Sequence, residues 1–141
     1  MKRILIVGSG KRVQDAALPA LLRLQDDYRI DGVMARSEKE LEVCGETFRV
    51  ERLADLAPER LAACDLVYMV VGKPAVPAVL ARLGELDVSS VDLLIDTPVL
   101  LFKHMGHLAR LERFRRVWVP EDCTTLPVHD AIDELVAGGA L

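Results

Sequence analysis

The sequence predicts a doubly wound α/β domain, a Rossmann-like fold with a mainly parallel six-stranded sheet filling residues 1–141. Three observations predict it. Apolar runs of strand length recur along the chain, helical apolar spacing fills the intervals between them, and the first run breaks into a glycine loop. Strands that alternate with helices run parallel and are joined by right-handed crossovers.

Ile4 to Val7 is a continuous aliphatic run, the pattern of a strand buried on both faces. Val13, Ala16, Ala17, Leu21 and Leu24 then follow helical spacing, and Pro19 requires that this helix either kinks there or begins near Leu18. Ile30 to Ala35 is the second strand, with Ser37 as an N-cap for a helix from Glu38 to about Cys44. Phe48 to Val50 is a short third strand, and Leu53 to Ala63 a loop with a short helix entered at Pro58. "DLVYMVVG", Asp65 to Gly72, is the strongest strand signal, followed by a helix through Val76, Val79, Leu80 and Leu83. "LLID", Leu93 to Asp96, is a fifth strand. Leu101, Met105, Leu108 and Leu111 are spaced as the buried stripe of the next helix. Val117 to Val119 is a sixth strand, and Val128, Ile132, Leu135 and Val136 mark a last helix.

A chain of 141 residues is one ordinary domain that buries roughly two thirds of its unfolded surface without a disulfide or metal staple. Hydrophobic residues at 51% and charged residues at 28% exclude extended disorder. A net charge of −4 and an aromatic share of 4% leave neither a basic footprint nor stacking platforms for nucleic acid. The opening apolar run is too short for a signal peptide or a membrane span, so the expected compartment is the cytoplasm. Cys44, Cys64 and Cys123, odd in number and widely spaced, read as reduced thiols.

In such a sheet, ligands bind beyond the carboxyl ends of the strands where the strand order reverses. Gly8-Ser9-Gly10 supplies the first two positions of G-x-G-x-x-G, with Val13 in place of the third glycine. One glycine permits the tight turn; the other lets backbone amides approach a diphosphate. Against this stands the plainer reading, a tight turn that needs glycine for its own backbone angles. After the second strand, Arg36 with Ser37 suits a ribose 2′-phosphate better than the acid that marks an NAD site, which leans the cofactor to NADP over NAD. Arg36 as a solvated charge and Ser37 as a simple cap remain open.

Taken in order, "GSGKRV", "LPALLRL", "GVMARS", "CDLVYMVVGKPAVPAVLARL", "LLIDTP" and "VPEDCTTLPVHDAIDELVAGGAL" resemble the nucleotide-binding domain of the glucose-fructose oxidoreductase / inositol dehydrogenase (Gfo/Idh/MocA) family. The resemblance implies hydride transfer between NAD(P) and a hydroxyl or carbonyl carbon of a sugar or cyclitol-like substrate. It implies that Gly8, Ser9 and Gly10 seat the diphosphate with Lys11 and Arg12 beside it, and that Arg36 and Ser37 meet the adenosine ribose. Val71, Gly72 and Pro98 contact the cofactor, while Asp96 and Thr97 line its nicotinamide end as the candidate catalytic residues. Family members carry Glu-Lys-Pro at positions 96–98, so Thr97 replaces a lysine that lies near the nicotinamide and substrate. The family's second, substrate-holding domain would begin where this chain stops, so a small-molecule substrate is expected only with that domain.

Two other classes stay in view. One is a catalytically silent nucleotide-binding or redox-sensing module pairing with another subunit; the other is the same fold holding a different nucleotide such as coenzyme A. An apolar surface left by a missing domain would favour a homo-oligomer. His104 and His107, three apart, lack a third ligand at metal spacing, so no metal is expected. Glu121 to Thr125 either faces the cofactor or caps a helix.

Overall fold

The computed structural model describes residues 1–96 and 99–120. Ile4 to Val7 are each at most 1% exposed, so β1, Lys2–Val7, takes the centre of a sheet covered on both faces. Parallel neighbours flank it: β2, Tyr28–Ala35, on one side and β5, Leu66–Met69, on the other. Beyond β5 come β6, Asp92–Ile95, and β7, Arg116–Trp118, both parallel. Beyond β2 lies β4, Glu46–Arg52, also parallel, and then β3, Lys39–Val43, which runs antiparallel to it at the edge. The sheet thus has seven strands in the order β3-β4-β2-β1-β5-β6-β7. The order reverses between β1 and β5, so the crevice between their carboxyl ends is the topological switch point.

Two apolar layers cover this sheet. Ile4, Ile6, Val33 and Val50 face Val13, Leu18 and Leu21 of the first helical segment. Leu5, Val67, Leu93 and Ile95 face Leu61 of α2, Pro58–Ala62, and Val79, Leu80 and Leu83 of α3, Val76–Leu83. Each fully buried leucine or isoleucine contributes roughly 2 kcal/mol.

Of the two courses open at Pro19, a kink or a helix that begins near Leu18, the structure takes the second. A π-turn, Val13–Ala17, runs directly into α1, Leu18–Arg23, whose first turn holds Pro19. Proline has no N–H to give and is tolerated there, and the wider turn absorbs the extra residue.

Two expectations are corrected. The segment from Glu38 to Cys44 is strand β3 rather than a helix, which adds the seventh strand. Its residues alternate, with Leu41 and Val43 buried and Glu40 and Glu42 exposed, and it turns into β4 through Cys44 and Gly45 at φ 54° and 82°. Two consecutive left-handed residues make the type I′ turn that matches strand twist. The second correction concerns Phe102–Arg113, which winds as a 3₁₀ helix with no fully buried residue. At three residues per turn, Phe102, Met105, Leu108 and Leu111 stack in one row. Only Leu111 reaches the core, while Phe102 is 93% exposed and Met105 and Leu108 over 40%. Thr97, Pro98, the Glu121–Thr125 cluster and the last helix, Val128 to Val136, lie outside the described residues. Among the described residues, no helix is long and apolar enough to cross a membrane.

Candidate functional site

The loop after β1 is clamped from two sides. Gly8 donates its N–H to the Met34 carbonyl at the end of β2 (2.7 Å), and Val70 beyond β5 donates to the Val7 carbonyl (2.8 Å). Gly8 sits at φ 133°, and a Cβ there would lie 2.8 Å from the Val70 carbonyl carbon and closer still to its oxygen. Its glycine is thus demanded by the protein itself. Gly10 is different: a Cβ on it would meet nothing within 4 Å. Its missing side chain leaves open space above the loop.

That space belongs to a cavity of about 560 Å³ beside the strand-order reversal. Gly8, Ser9, Gly10, Arg36, Ser37, Val71 and Gly72 all line it, so seven of the residues singled out by the sequence converge. The amide groups of residues 9–12 donate to no backbone carbonyl among the described residues, and unpaired donors at a helix start suit an anion. The Ser9 carbonyl accepts from Gln14 Nε2 (3.2 Å) and Lys39 Nζ (2.9 Å). Free amides at Ser9 and Gly10 on the cavity lining suit the diphosphate of a dinucleotide.

Three walls of the cavity were not legible in the sequence. Leu53 and Ala54, in the 3₁₀ turn Leu53–Asp55 after β4, close the side beside Arg36. Ala75, Ala78 and Val79 present the small face of α3. Arg82 ties these walls together, donating from Nη2 to the carbonyls of Ala54 (3.0 Å) and Leu56 (2.9 Å). Lys39 was hidden by the mistaken helix; the strand alternation of Leu41 and Val43 is the signal that locates it.

The remaining candidates lie elsewhere. Lys11 is 93% exposed on its side chain, 4.0 Å from Asp15, and does not line the cavity. Arg12 reaches past the loop to Asp96 at the end of β6, its Nε 2.5 Å from Oδ2. Asp96 is nearly buried, and its Oδ1 meets no donor among the described residues. Tyr68 lies nearby on the same sheet face; burial raises its hydroxyl pKa, the Asp96 charge raises it further, and Arg12 opposes both. Among the described residues, no three metal-ligating side chains cluster.

Known structures share this architecture. An oxidoreductase from Thermotoga maritima is 20% identical, with a TM-score of 0.69 over 99% of this chain and 44% of its own. The WlbA dehydrogenase of Thermus thermophilus, solved with NAD and α-ketoglutarate, is 16% identical, with a TM-score of 0.66 over 98% of this chain and 47% of its own. RSP, a Rex-family repressor, is 13% identical, with a TM-score of 0.65 over 100% of this chain and 63% of its own. This chain thus spans less than half the length of either dehydrogenase-like relative. No curated protein matches it. The family model described as "Oxidoreductase family, NAD-binding Rossmann fold" matches residues 2–116, most of the sequence, and the chain therefore belongs to the Gfo/Idh/MocA family.

Proposed function

We propose that this chain is the cofactor-holding domain of an oxidoreductase that moves a hydride between NADP(H) or NAD(H) and a hydroxyl or carbonyl carbon of a sugar or cyclitol-like substrate. The observation that carries the reading is Gly10, whose bare Cα opens onto the cavity while Gly8 is consumed by the fold. Amides of Ser9 and Gly10 seat the diphosphate, while Lys11 and Arg12 stand beside the loop, paired with Asp15 and Asp96. Arg36 and Ser37 take the adenosine ribose, Val71 and Gly72 pass along the cofactor, and Asp96, Thr97 and Pro98 border its nicotinamide end.

When bound, the cofactor supplies the hydride chemistry; the protein supplies position and electrostatics. Among the described residues, the cavity rim beside the second strand holds Arg36 with Ser37 and no carboxylate, which supports NADP over NAD. The dehydrogenase solved with NAD and the RSP complex with NADH hold the unphosphorylated form, so both nucleotides belong in the binding test. The threonine hydroxyl at position 97 is a poor proton acceptor at neutral pH. As the hydride leaves, the substrate's hydroxyl proton then needs another acceptor, and the carboxylate of Asp96 is the catalytic candidate this chain carries at that end.

Thr97 likewise favours a second reading, a silent redox-sensing module that binds the cofactor without turning it over. The deciding test for cofactor binding is Gly10→Ala, read by calorimetry with NADPH and NADH. With nothing within 4 Å of the new methyl, stability should stay within about 0.5 kcal/mol. Nucleotide affinity should fall roughly tenfold or more as the methyl intrudes on the diphosphate. Unchanged affinity in the variant, or no binding by the parent chain, overturns the reading.

A further inference from the structure

Asp96 continues β6 by one residue, donating its N–H to the Met69 carbonyl of β5 (3.0 Å). Alternation then puts its side chain on the face that carries Tyr68 and Leu94. That carboxylate is only 10% exposed, and among the described residues one of its buried oxygens meets no donor. A carboxylate so desolvated is costly unless a cation attends it. Among the described residues its one ion-pair partner is Arg12, which is 60% exposed and comes from the helix start after the glycine loop. A core carboxylate is thus neutralised by a solvent-facing arginine that belongs to the diphosphate loop.

The cavity described above takes in the β2 side of the switch point, with Arg36 and Ser37 at its rim. A dinucleotide laid across a Rossmann crevice places its other half on the opposite side, over the ends of β5 and β6, toward Asp96. The oxidised pyridinium ring there carries one positive charge and the reduced ring none. We infer that the Arg12–Asp96 pair balances charge at this end of the crevice and thereby sets how evenly the chain holds the oxidised and reduced forms of its cofactor. The inference rests on the dinucleotide reading and adds to it a pair that determines redox-state selectivity. Asp96 alone would draw the pyridinium; Arg12 alone would repel it. Together they nearly cancel.

The test uses the full chain and its Arg12→Gln, Arg12→Glu, Asp96→Asn and Arg12→Gln/Asp96→Asn variants. Calorimetry gives the affinity for the oxidised and the reduced form of whichever nucleotide, with or without the 2′-phosphate, binds the parent more tightly. Arg12→Gln should shift the ratio toward the oxidised form by roughly tenfold, given the partial solvent screening of an exposed guanidinium. Arg12→Glu should shift it further. Asp96→Asn should shift it the opposite way, and the double variant should return to within about twofold of the parent. Arg12 is exposed, so its variants keep the test readable even where Asp96→Asn impairs folding. A purely structural latch would lower both affinities together; an unmoved ratio, or shifts of the same sign from both partners, overturns the inference while leaving nucleotide binding intact. A parent chain that binds neither form removes the dinucleotide reading and this one with it.

Discussion

Gly8 and Gly10 are two residues apart in one motif, and the fold uses them for unlike purposes. Gly8 holds φ 133° with its Cα against the Val70 carbonyl, so Gly8→Ala combines a forbidden backbone angle with a steric overlap. Urea unfolding of that variant should show a loss of about 3 kcal/mol or more. The motif announced both glycines without saying which served the chain and which left room for a ligand; the backbone angle and the clearance decide that. At the same scale, Arg12 and Asp96 were each legible as site residues, but their meeting was not. It depends on β6 being in register with β5, Met69 beside Ile95, and no local pattern carries such a pairing. Arg36 and Ser37 stand at a strand end beside the glycine loop, a place the sequence marks, and both line the cavity, whereas Arg82 works through the carbonyls of a loop far away in the chain.

Among the elements, those with a long apolar run or a clear period were readable, and the hairpin was not. Only two residues of β3, Leu41 and Val43, point inward, and the charged residues around them suit a helix equally well. Cys44-Gly45 also lacks the Asn-Gly signature of a type I′ turn. Gly45→Ala places a methyl at φ 82° and should cost about 1 kcal/mol, seen as a drop in melting temperature of roughly 3 °C. Cys44→Asn, which tolerates the left-handed angle, should raise the melting temperature slightly. Phe102–Arg113 misled for a related reason: apolar residues spaced by three serve a 3₁₀ row as well as an α-helical stripe. Periodicity alone does not say that a partner surface lies opposite.

The whole molecule is stitched together by arginine–carboxylate pairs at the margins of its core. Asp31, on β2, is 7% exposed on its side chain and pairs with both Arg3 and Arg60. Burial would push its carboxyl up, yet the hydrogen bonds from Arg3 and Arg60 hold it below the usual carboxylate range. Asp92 is lowered by Arg115, and Asp87 by the backbone and hydroxyl of Ser89. A depressed folded-state pKa means stability that is present above the unfolded value, about 4, and lost as pH falls through the folded one. The urea midpoint should therefore decline steeply below about pH 4. Asp31→Asn should be less stable than the parent by about 1–3 kcal/mol at pH 7, and that gap should close as the pH approaches about 2. The parallel sheet with helices on its faces followed from the alternation of apolar runs; this ionic stitching did not, because Arg3, Asp31 and Arg60 meet only once the sheet and α2 are assembled.

The outermost strand has a bearing on colloidal behaviour. Among the described residues β3 is a margin of the sheet, and a strand edge of this kind is the template on which stray strands assemble into fibrils. Glu40 and Glu42 stand exposed on one face of it, and a second copy paired antiparallel about Leu41 would bring carboxylate against carboxylate. Replacing both glutamates with threonine should leave the monomer folded and make concentrated solutions turbid, with a rise in thioflavin fluorescence that the parent does not show.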